Sequence, residues 1–339
     1  MLGELRALYP SAPIFTSVYD PRQLPEPMRQ WDVRSSFLGG FPFARSYSRA
    51  LLPLMPIAFQ RFDFSNYDVV VSVSSAFSKN VVTPPGAKNL CYCLTPPRYL
   101  WDLRDAYLGR SAAAATAPVV RWLRGVDRGA ARRVDEFVAI SHVVADRVRR
   151  SYARVADVIY PPVDTARLRS SDSDVDDYYL VVSRLVRYKR IDLAIEACNK
   201  LGRRLLVVGV GPERRRLELL AGPTVRLLGA RSDEDVAELY RRCRAFVFPA
   251  LEDFGITAVE AQAAGRPVVA FGGGGGGETV IDGVTGIHFF EQTADAVAAA
   301  MQRLDRTPID PAACRNNAER FDASVFRERI GARVRAIAS

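Results

Sequence analysis

The sequence contains few lysines and histidines and no long apolar run. Of 339 residues two are histidine, and of the 47 basic residues only four are lysine, at positions 79, 88, 189 and 200. No stretch of about 18 apolar residues occurs, which argues against a transmembrane helix. The first six residues lack a basic region followed by an apolar core, which argues against a signal peptide. Because lysine is scarce, we do not interpret Lys189 as an arbitrary surface cation.

Cysteine is also sparse, and its arrangement argues against metal binding. The five cysteines are an odd number and form no C-x-x-C pair, so we expect buried free thiols in a reducing cytosol and no metal site. The formal net charge is +9, but the arginines spread along predicted amphipathic helices instead of forming a tail or an aromatic-rich patch. This pattern argues against nucleic-acid binding. A basic surface is compatible with contact to an anionic membrane or a phosphate-bearing acceptor.

Alternating strand and helix patterns predict an α/β fold. In the C-terminal half, strands are expected over residues 178–183, 204–208, 225–228, 245–248, 267–271 and 287–289. The N-terminal half has a looser version of the same pattern, with strands expected over 14–18, 68–73, 89–93, 136–139 and 158–160. Such βα units predict parallel, doubly wound sheets, which bind ligands beyond the carboxyl ends of their strands.

We therefore expect two doubly wound domains that face a cleft. The N-terminal domain would span residues 1–165 and the C-terminal domain 178–318. A Ser- and Asp-rich segment, 166–177, is interpreted as the linker, and 319–339 as a terminal amphipathic helix.

The most informative segment follows the strand over 245–248 and runs Glu252-Asp-Phe-Gly-Ile-Thr-Ala-Val-Glu260. A helix N-terminus at the carboxyl end of a strand offers free N–H groups and the positive end of the helix dipole, which suit a diphosphate. The two carboxylates would repel phosphate, but each can accept hydrogen bonds from hydroxyl groups. Because a diphosphate flanked by hydroxyl-rich groups describes a nucleotide sugar, the pattern predicts a nucleotide-sugar site.

Two cations follow the first strand of the C-terminal half. Arg184 and Lys189 lie five residues apart at the strand end, so both can reach one diphosphate. Charge-assisted hydrogen bonds of this kind contribute about 1.5–3 kcal/mol each and would stabilise a leaving group as it gains charge. By itself a basic loop is usually a solvated surface; together with Glu252 and Glu260 it predicts a binding site.

Six consecutive glycines, residues 272–277, follow the strand over 267–271. Two interpretations are open: backbone that approaches a ligand closely, or a flexible turn without a specific role. The position of the loop, between a strand end and a helix start at Glu278 and Thr279, favours the first.

Together these segments resemble the retaining GT-B glycosyltransferases of family 4 (group 1), and within that family the mannosyltransferase-like enzymes of polysaccharide biosynthesis. The resemblance covers nearly the whole chain and rests on five segments: Cys91–Asp102, Val158–Asp164, Ser183–Ala197, Val208–Glu213 and Glu252–Pro267. It implies a GT-B architecture in which the C-terminal domain binds the nucleotide sugar and the N-terminal domain faces the acceptor.

The resemblance also implies a role for each site residue. Arg184 and Lys189 would bind the donor diphosphate, Glu252 would contact the donor sugar, and Glu260 would hold the nucleotide ribose. Backbone N–H groups or close backbone approach would come from Phe254, Gly255, Ile256, Thr257, Gly209 and Gly211.

The implied chemistry needs no metal and no cofactor. The donor would be GDP-mannose, and the leaving diphosphate would help to deprotonate the acceptor hydroxyl during transfer with retention. Such enzymes are usually cytoplasmic and contact the inner face of the plasma membrane where a lipid-linked acceptor lies.

Two departures from the family pattern favour a second hypothesis. Relatives begin with a strand and a Gly-Gly loop, whereas residues 1–10 have the pattern of the helix after that loop, so the N-terminal domain is expected to lack its first strand. Leu94 stands where relatives carry a histidine that faces the donor sugar. The leading hypothesis is a hexosyltransferase acting on a glycan or lipid-linked acceptor. The alternative is a catalytically impaired relative that binds a nucleotide sugar.

Two further functions fit poorly. A GT-B sugar epimerase depends on acid and base residues in the cleft, and His142 and His288, the two histidines, are expected to be structural. A nucleic-acid binder fits least, because of the distribution of arginine described above.

Overall fold

The computed structural model describes residues 1–40, 51–101, 116–169 and 174–339. These residues divide into two compact units, one formed by residues 1–160 and 327–339 and the other by residues 161–326. Asp102, the last residue of the N-terminal motif, and residues 170–173 of the predicted linker lie outside the described residues. No helix within the described ranges is long and apolar enough to cross a membrane.

The first unit contains a four-stranded parallel sheet and a separate pair of strands. The helices are α1 (Leu2–Leu8), α2 (Glu26–Arg29), α3 (Met55–Gln60), α4 (Ala117–Arg133) and α5 (His142–Tyr152). The strands are β1 (Ile14–Thr16), β2 (Val33–Ser35), β3 (Val69–Ser74), β4 (Lys88–Cys93), β5 (Glu136–Ala139) and β6 (Ala156–Val158). The main sheet has the order β3-β4-β5-β6. Strand β1 pairs with β2 in a separate two-stranded sheet. The sequence predicted a strand at β1 but none at β2.

Local sequence explains how the first unit forms. Strand β4 is buried from Asn89 to Cys93, as expected for a strand covered on both faces. Helix α5 begins where the Ser141 side chain accepts a hydrogen bond from the Val144 backbone N–H. All five cysteines are buried and free, which confirms the prediction of buried free thiols.

The second unit contains a six-stranded parallel sheet. Its strands are β7 (Tyr179–Val182), β8 (Leu205–Val208), β9 (Val225–Gly229), β10 (Ala245–Phe248), β11 (Val268–Phe271) and β12 (Gly286–Phe289). Its helices are α6 (Thr165–Leu168), α7 (Ile191–Leu201), α8 (Arg214–Leu220), α9 (Asp233–Arg242), α10 (Ile256–Ala263), α11 (Gly275–Thr279), α12 (Ala294–Asp305) and α13 (Pro311–Glu319). The strand order is β12-β11-β10-β7-β8-β9. Each strand predicted in this half is present, within one or two residues of its expected bounds.

The apolar faces of α7 and α12 cover one side of this sheet. Ile195 and Cys198 of α7 and Val297 and Met301 of α12 are fully buried in one cluster with the strands. The α/β fold with parallel sheets is therefore confirmed.

The segment interpreted as a linker is folded at its start. Helix α6 begins one residue before it and covers its first three residues, and the Asp164 side chain accepts a hydrogen bond from the Arg167 N–H. Just before the helix, Val163 forms a parallel bridge with Asp322, and Thr165 Oγ1 donates to the Asp322 carboxylate over 2.5 Å. These contacts attach the segment to the second unit, which begins at Pro161.

The last helix, α14 (Ala323–Ala338), begins in the second unit and continues into the first. Within the first unit, Arg327 pairs with Glu4, and Arg333 pairs with Glu136 and Asp157. Ion pairs between distant parts of the sequence therefore attach the end of the chain to the first unit.

Candidate functional site

The candidate site lies where the strand order of the second unit reverses. Strands β7, β8 and β9 follow one another in one direction and β10, β11 and β12 in the other, so β7 and β10 are neighbours whose chain connections diverge. In doubly wound sheets ligands bind at such a switch point, beyond the carboxyl ends of the strands. The residues after β7 include Arg184 and Lys189, and those after β10 include Glu252.

Lys189 and Glu252 meet at this edge. Lys189 ends a short 3₁₀ turn, Arg187–Lys189, and its Nζ donates a hydrogen bond to Glu252 Oε1 in a close ion pair. The side chains are 14% and 21% exposed, so the pair is shielded but still reached by solvent. The sequence predicted both residues for the site and did not predict their pairing.

Arg184 remains more open. It is exposed, and its Nη2 donates to the Tyr188 hydroxyl over 3.1 Å. Lys189 Nζ lies 5.5 Å from the centre of the Tyr188 ring, so this ring lies between the two cations. Nothing in the sequence pattern predicted a role for Tyr188, because an aromatic residue in a basic loop has no distinctive spacing.

A small cavity is formed at the switch point. It is lined by residues 181–183, 246–250, Lys189, Glu252 and Thr257. Both members of the ion pair therefore face the same space as the start of helix α10.

Helix α10 starts at a sharp turn on Gly255. This glycine has a φ of +95°, and a Cβ at its position would lie 2.7 Å from the Phe248 ring. Because the N-cap residue is Gly255, no side chain caps the helix. Its first N–H groups are therefore available to an anion. Phe254 is buried, and its ring packs on Phe321 at 5.4 Å between centroids, so it anchors the turn. Ile256, by contrast, is 45% exposed.

The glycine loop packs on the backbone of this same turn. Gly275 N donates to the Glu252 carbonyl over 2.8 Å, and a Cβ on Gly275 would lie 2.1 Å from the Phe254 carbonyl oxygen. A Cβ on Gly274 would lie 2.5 Å from the Glu252 carbonyl oxygen. The close approach that these glycines permit in the structure is thus to protein backbone. The loop therefore contacts the backbone of Glu252 and supports its position. Neither of the two interpretations of the loop from the sequence included this contact.

Gly209 and Gly211 play an equivalent part on the other side of the site. Gly209 has a φ of +137°, and a Cβ there would lie 1.9 Å from the Ser183 carbonyl oxygen. A Cβ on Gly211 would lie 2.3 Å from the Leu185 carbonyl oxygen. Two glycines therefore let the loop after β8 lie directly against the loop that carries Arg184.

Glu260 lies on helix α10, one turn from its start. Its Oε2 accepts a hydrogen bond from the Tyr240 hydroxyl over 3.0 Å. Burial raises the pKa of Glu260, while the bond from Tyr240 and the charge of Arg167 oppose that rise. Tyr240 was not predicted as a site residue, because its spacing on helix α9 indicates only a core position.

The remaining residues discussed from the sequence lie elsewhere. Leu94 follows β4 in the first unit, where its N–H donates to the Ser74 carbonyl. His288 lies on β12, which β11 separates from β10. His142 begins helix α5 of the first unit and packs edge-on against Tyr160. In the described part of the chain, no three His, Cys, Asp or Glu side chains are grouped as a metal site would require.

Comparison with known proteins finds a family match within the second unit. Residues 166–321 match the model of the family Glycosyl transferases group 1. An uncharacterized glycosyltransferase of Methanocaldococcus jannaschii is 30% identical over 158 residues, which are 45% of this chain and 44% of that protein. The chain spans about half the length of the curated relatives it matches.

Solved glycosyltransferase structures share the fold of the chain. Sucrose-phosphate synthase from Thermosynechococcus elongatus has a TM-score of 0.72 at 22% identity, covering 95% of this chain and 88% of that one. Anabaena HepE, solved in complex with UDP, has a TM-score of 0.68 at 17% identity, covering 99% and 95%. The α/β fold with parallel sheets is that of GT-B glycosyltransferases.

Proposed function

We propose that this chain, whose residues 166–321 match the group 1 glycosyl transferases, is a hexosyltransferase that uses a nucleotide-diphosphate sugar. Mannose from GDP-mannose is the proposed hexose. The acceptor is a hydroxyl of a glycan or a lipid-linked glycan, and the transfer proceeds with retention. The observation that supports this best is the Lys189–Glu252 pair at the strand switch point, beside the uncapped start of helix α10.

The proposed division of labour follows from charge. The N–H groups at the start of α10, with Lys189 and Arg184, form the positive side of the site and hold the diphosphate. These groups also stabilise the charge that grows on the diphosphate as the bond to the sugar breaks. Glu252 accepts hydrogen bonds from the donor sugar, and Glu260 accepts them from the ribose.

The Lys189–Glu252 ion pair balances two opposite charges within the site. Lys189 and Glu252 neutralise each other, so neither charge is left shielded from solvent without a partner. When a donor binds, the other two protons of the Lys189 ammonium can reach the diphosphate while Glu252 turns toward the sugar. No metal is required in this scheme, because cations of the chain carry the phosphate charge.

The proposed location is the cytoplasm, with peripheral contact at the inner face of the plasma membrane. The basic net charge of +9 supports contact with anionic lipid. The proposed acceptor accounts for why the enzyme would be found there.

The test is turnover of two donors, GDP-mannose and UDP-glucose, by the purified chain with and without membrane extract as a source of acceptor. We expect nucleotide release from one donor, a product of retained anomeric configuration by NMR, and loss of release in Lys189→Ala. Failure of GDP and UDP to bind would refute the proposal.

The alternative, an impaired relative that binds without turnover, is favoured by Leu94. A leucine cannot donate or accept a hydrogen bond where relatives carry a histidine. Nucleotide binding without any nucleotide release from either donor, in the presence of extract, would support this alternative.

A further inference from the structure

Tyr240 is the protein group that holds the carboxylate of Glu260. It lies on helix α9 and is fully buried, with its ring packed on Phe246 at 5.6 Å between centroids. Its hydroxyl donates to Glu260 Oε2 over 3.0 Å. Burial and the charge of Glu260 raise the pKa of Tyr240 well above its ordinary value, so the phenol keeps its proton and acts as a donor.

The other oxygen of Glu260 is differently placed. Within the described part of the chain, Oε1 makes no hydrogen bond to a protein group, although Glu260 is half-buried. One oxygen is therefore fixed by the protein, and the other keeps both acceptor positions for a ligand.

The charges around Glu260 are few. Among the described residues, helix α9 contributes Tyr240 and Asp233, and helix α6 contributes Arg167. Asp233 and burial disfavour the ionised carboxylate, and Tyr240 and Arg167 favour it. Arg167 is exposed, and its Nη1 donates to the Asp233 carbonyl, so among the residues that the structure describes Tyr240 is the one group in direct contact that favours the ionised form of Glu260.

We propose that Tyr240 is a positioning residue of the nucleotide site: its hydroxyl fixes Oε2 of Glu260 and thereby presents Oε1 to the hydroxyls of the nucleoside. This inference rests on the proposed function, in which Glu260 holds the ribose. The carboxylate must be ionised and correctly rotated to accept two hydroxyl donors, and Tyr240 supplies both conditions. Tyr240 itself does not contact the nucleotide.

The experiment compares Tyr240→Phe with a matched control, Tyr178→Phe. Both changes remove one phenol hydroxyl from the same unit, but the Tyr178 hydroxyl donates to the Leu239 carbonyl over 2.9 Å and does not touch Glu260. Binding of GDP and UDP would be measured by calorimetry over an acid-to-neutral pH series. The pKa of Glu260 would be followed in the free protein by NMR of labelled glutamate carboxyl carbons, with Glu260→Gln identifying the signal.

In Tyr240→Phe we expect nucleotide affinity to fall about ten-fold or more, the usual effect of losing a hydrogen bond to a charged group. Affinity requires the ionised carboxylate, so it falls as pH drops through the pKa of Glu260. Loss of the bond from Tyr240 raises that pKa further, so the acidic limb of the binding curve moves to higher pH. Tyr178→Phe should change neither, and Glu260→Gln should remove the limb.

Two results would overturn the inference. One is a folded Tyr240→Phe protein with the Glu260 pKa of wild type. The other is equal, pH-independent weakening by Tyr240→Phe in the wild-type and Glu260→Gln backgrounds, since coupled residues must be non-additive. Absence of nucleotide binding to the wild-type chain would instead refute the proposed function, and the NMR comparison would still decide whether Tyr240 controls Glu260.

Discussion

Two of the four lysines form shielded ion pairs, one in each unit, and the two pairs differ in how completely they are satisfied. In the first unit Lys79 pairs with Asp127, and their side chains are 2% and 0% exposed. In the second unit Lys189 pairs with Glu252 at 14% and 21% exposure. Both contacts are close, so the distance between the charges does not distinguish them.

The two pairs differ in how many of their other donors and acceptors are already hydrogen-bonded to protein groups. Asp127 Oδ2 also accepts bonds from Trp101 Nε1 over 2.9 Å and from the Tyr152 hydroxyl over 2.7 Å, and Lys79 Nζ also donates to the Ala76 carbonyl. Glu252 and Lys189, among the described residues, have only each other as hydrogen-bonding side-chain partners. Breaking a fully satisfied buried pair leaves an uncompensated charge in the interior, whereas a pair with unused donors and acceptors at a strand switch point is suited to bind a ligand.

The largest expected effect comes from breaking the satisfied pair. In Asp127→Ala, Lys79 would keep a charge with no opposite charge beside it in a site closed to water, which costs about 3–5 kcal/mol. The free energy of unfolding by urea would measure this loss. Leu123→Ala, on the same helix, is a control that removes buried apolar volume without exposing a charge. A change below about 1 kcal/mol in Asp127→Ala would mean that the pair is hydrated and the comparison with Lys189 is wrong.

The second effect concerns binding more than stability. Lys189→Ala should weaken GDP or UDP binding by about 1.5–3 kcal/mol, the contribution of a charge-assisted bond to phosphate. Its free energy of unfolding should change by less than about 1 kcal/mol, because solvent reaches Glu252. Calorimetric titration and urea denaturation of the same samples measure the two quantities. Unchanged nucleotide affinity would remove Lys189 from the diphosphate site.

The third effect tests whether Glu252 must be held in place. Gly275→Ala places a methyl group 2.1 Å from the Phe254 carbonyl oxygen, so the loop or the turn must move, at a cost of about 1–3 kcal/mol. We expect lower nucleotide affinity together with lower stability. Gly125→Ala on helix α4, where a Cβ meets nothing within 4 Å, should be neutral or stabilising. Equal behaviour of the two variants would show that the glycine loop does not support Glu252.

The sequence predicted the strands of the second unit and named both members of the Lys189–Glu252 pair, but it did not predict that they pair. Strong alternation of strand and helix patterns predicted every strand there, and the spacing of Glu252 and Glu260 predicted the site. Lys79 and Asp127 are 48 residues apart and carry no motif, so nothing in the sequence indicated that they meet. The same limit applies to Tyr240. Its helical spacing indicates a buried position, but spacing does not show whether the hydroxyl of a buried tyrosine contacts a carboxylate.

The glycines show a related limit. A positive φ or a close approach can be inferred from glycine itself, but the group that is approached depends on tertiary packing. Gly209 and Gly211 were therefore predicted to lie near the nucleotide, and Gly275 lies in a loop for which two interpretations were open; in the structure a Cβ on any of the three would meet a carbonyl oxygen of an adjacent loop. Strand β2 was missed for a different reason, because its three residues, Val33–Ser35, are too few to produce a periodic pattern.

The smallest expected effects on stability come from the other two lysines, Lys200 and Lys88, whose ion pairs are exposed. Lys200 lies 2.7 Å from Asp295, with 60% and 79% exposure, and Lys88 lies 3.8 Å from Asp135, with 46% and 36% exposure. Exposed pairs contribute about 0–1 kcal/mol and are screened by salt. Lys200→Ala and Lys88→Ala should therefore change the free energy of unfolding by less than about 1 kcal/mol and leave nucleotide affinity unchanged. Lys200 is closer to its partner than Lys88. A larger loss of unfolding free energy in Lys200→Ala than in Lys88→Ala, abolished by high salt, would show that distance matters more than burial. That result would weaken the distinction drawn between Lys79 and Lys189.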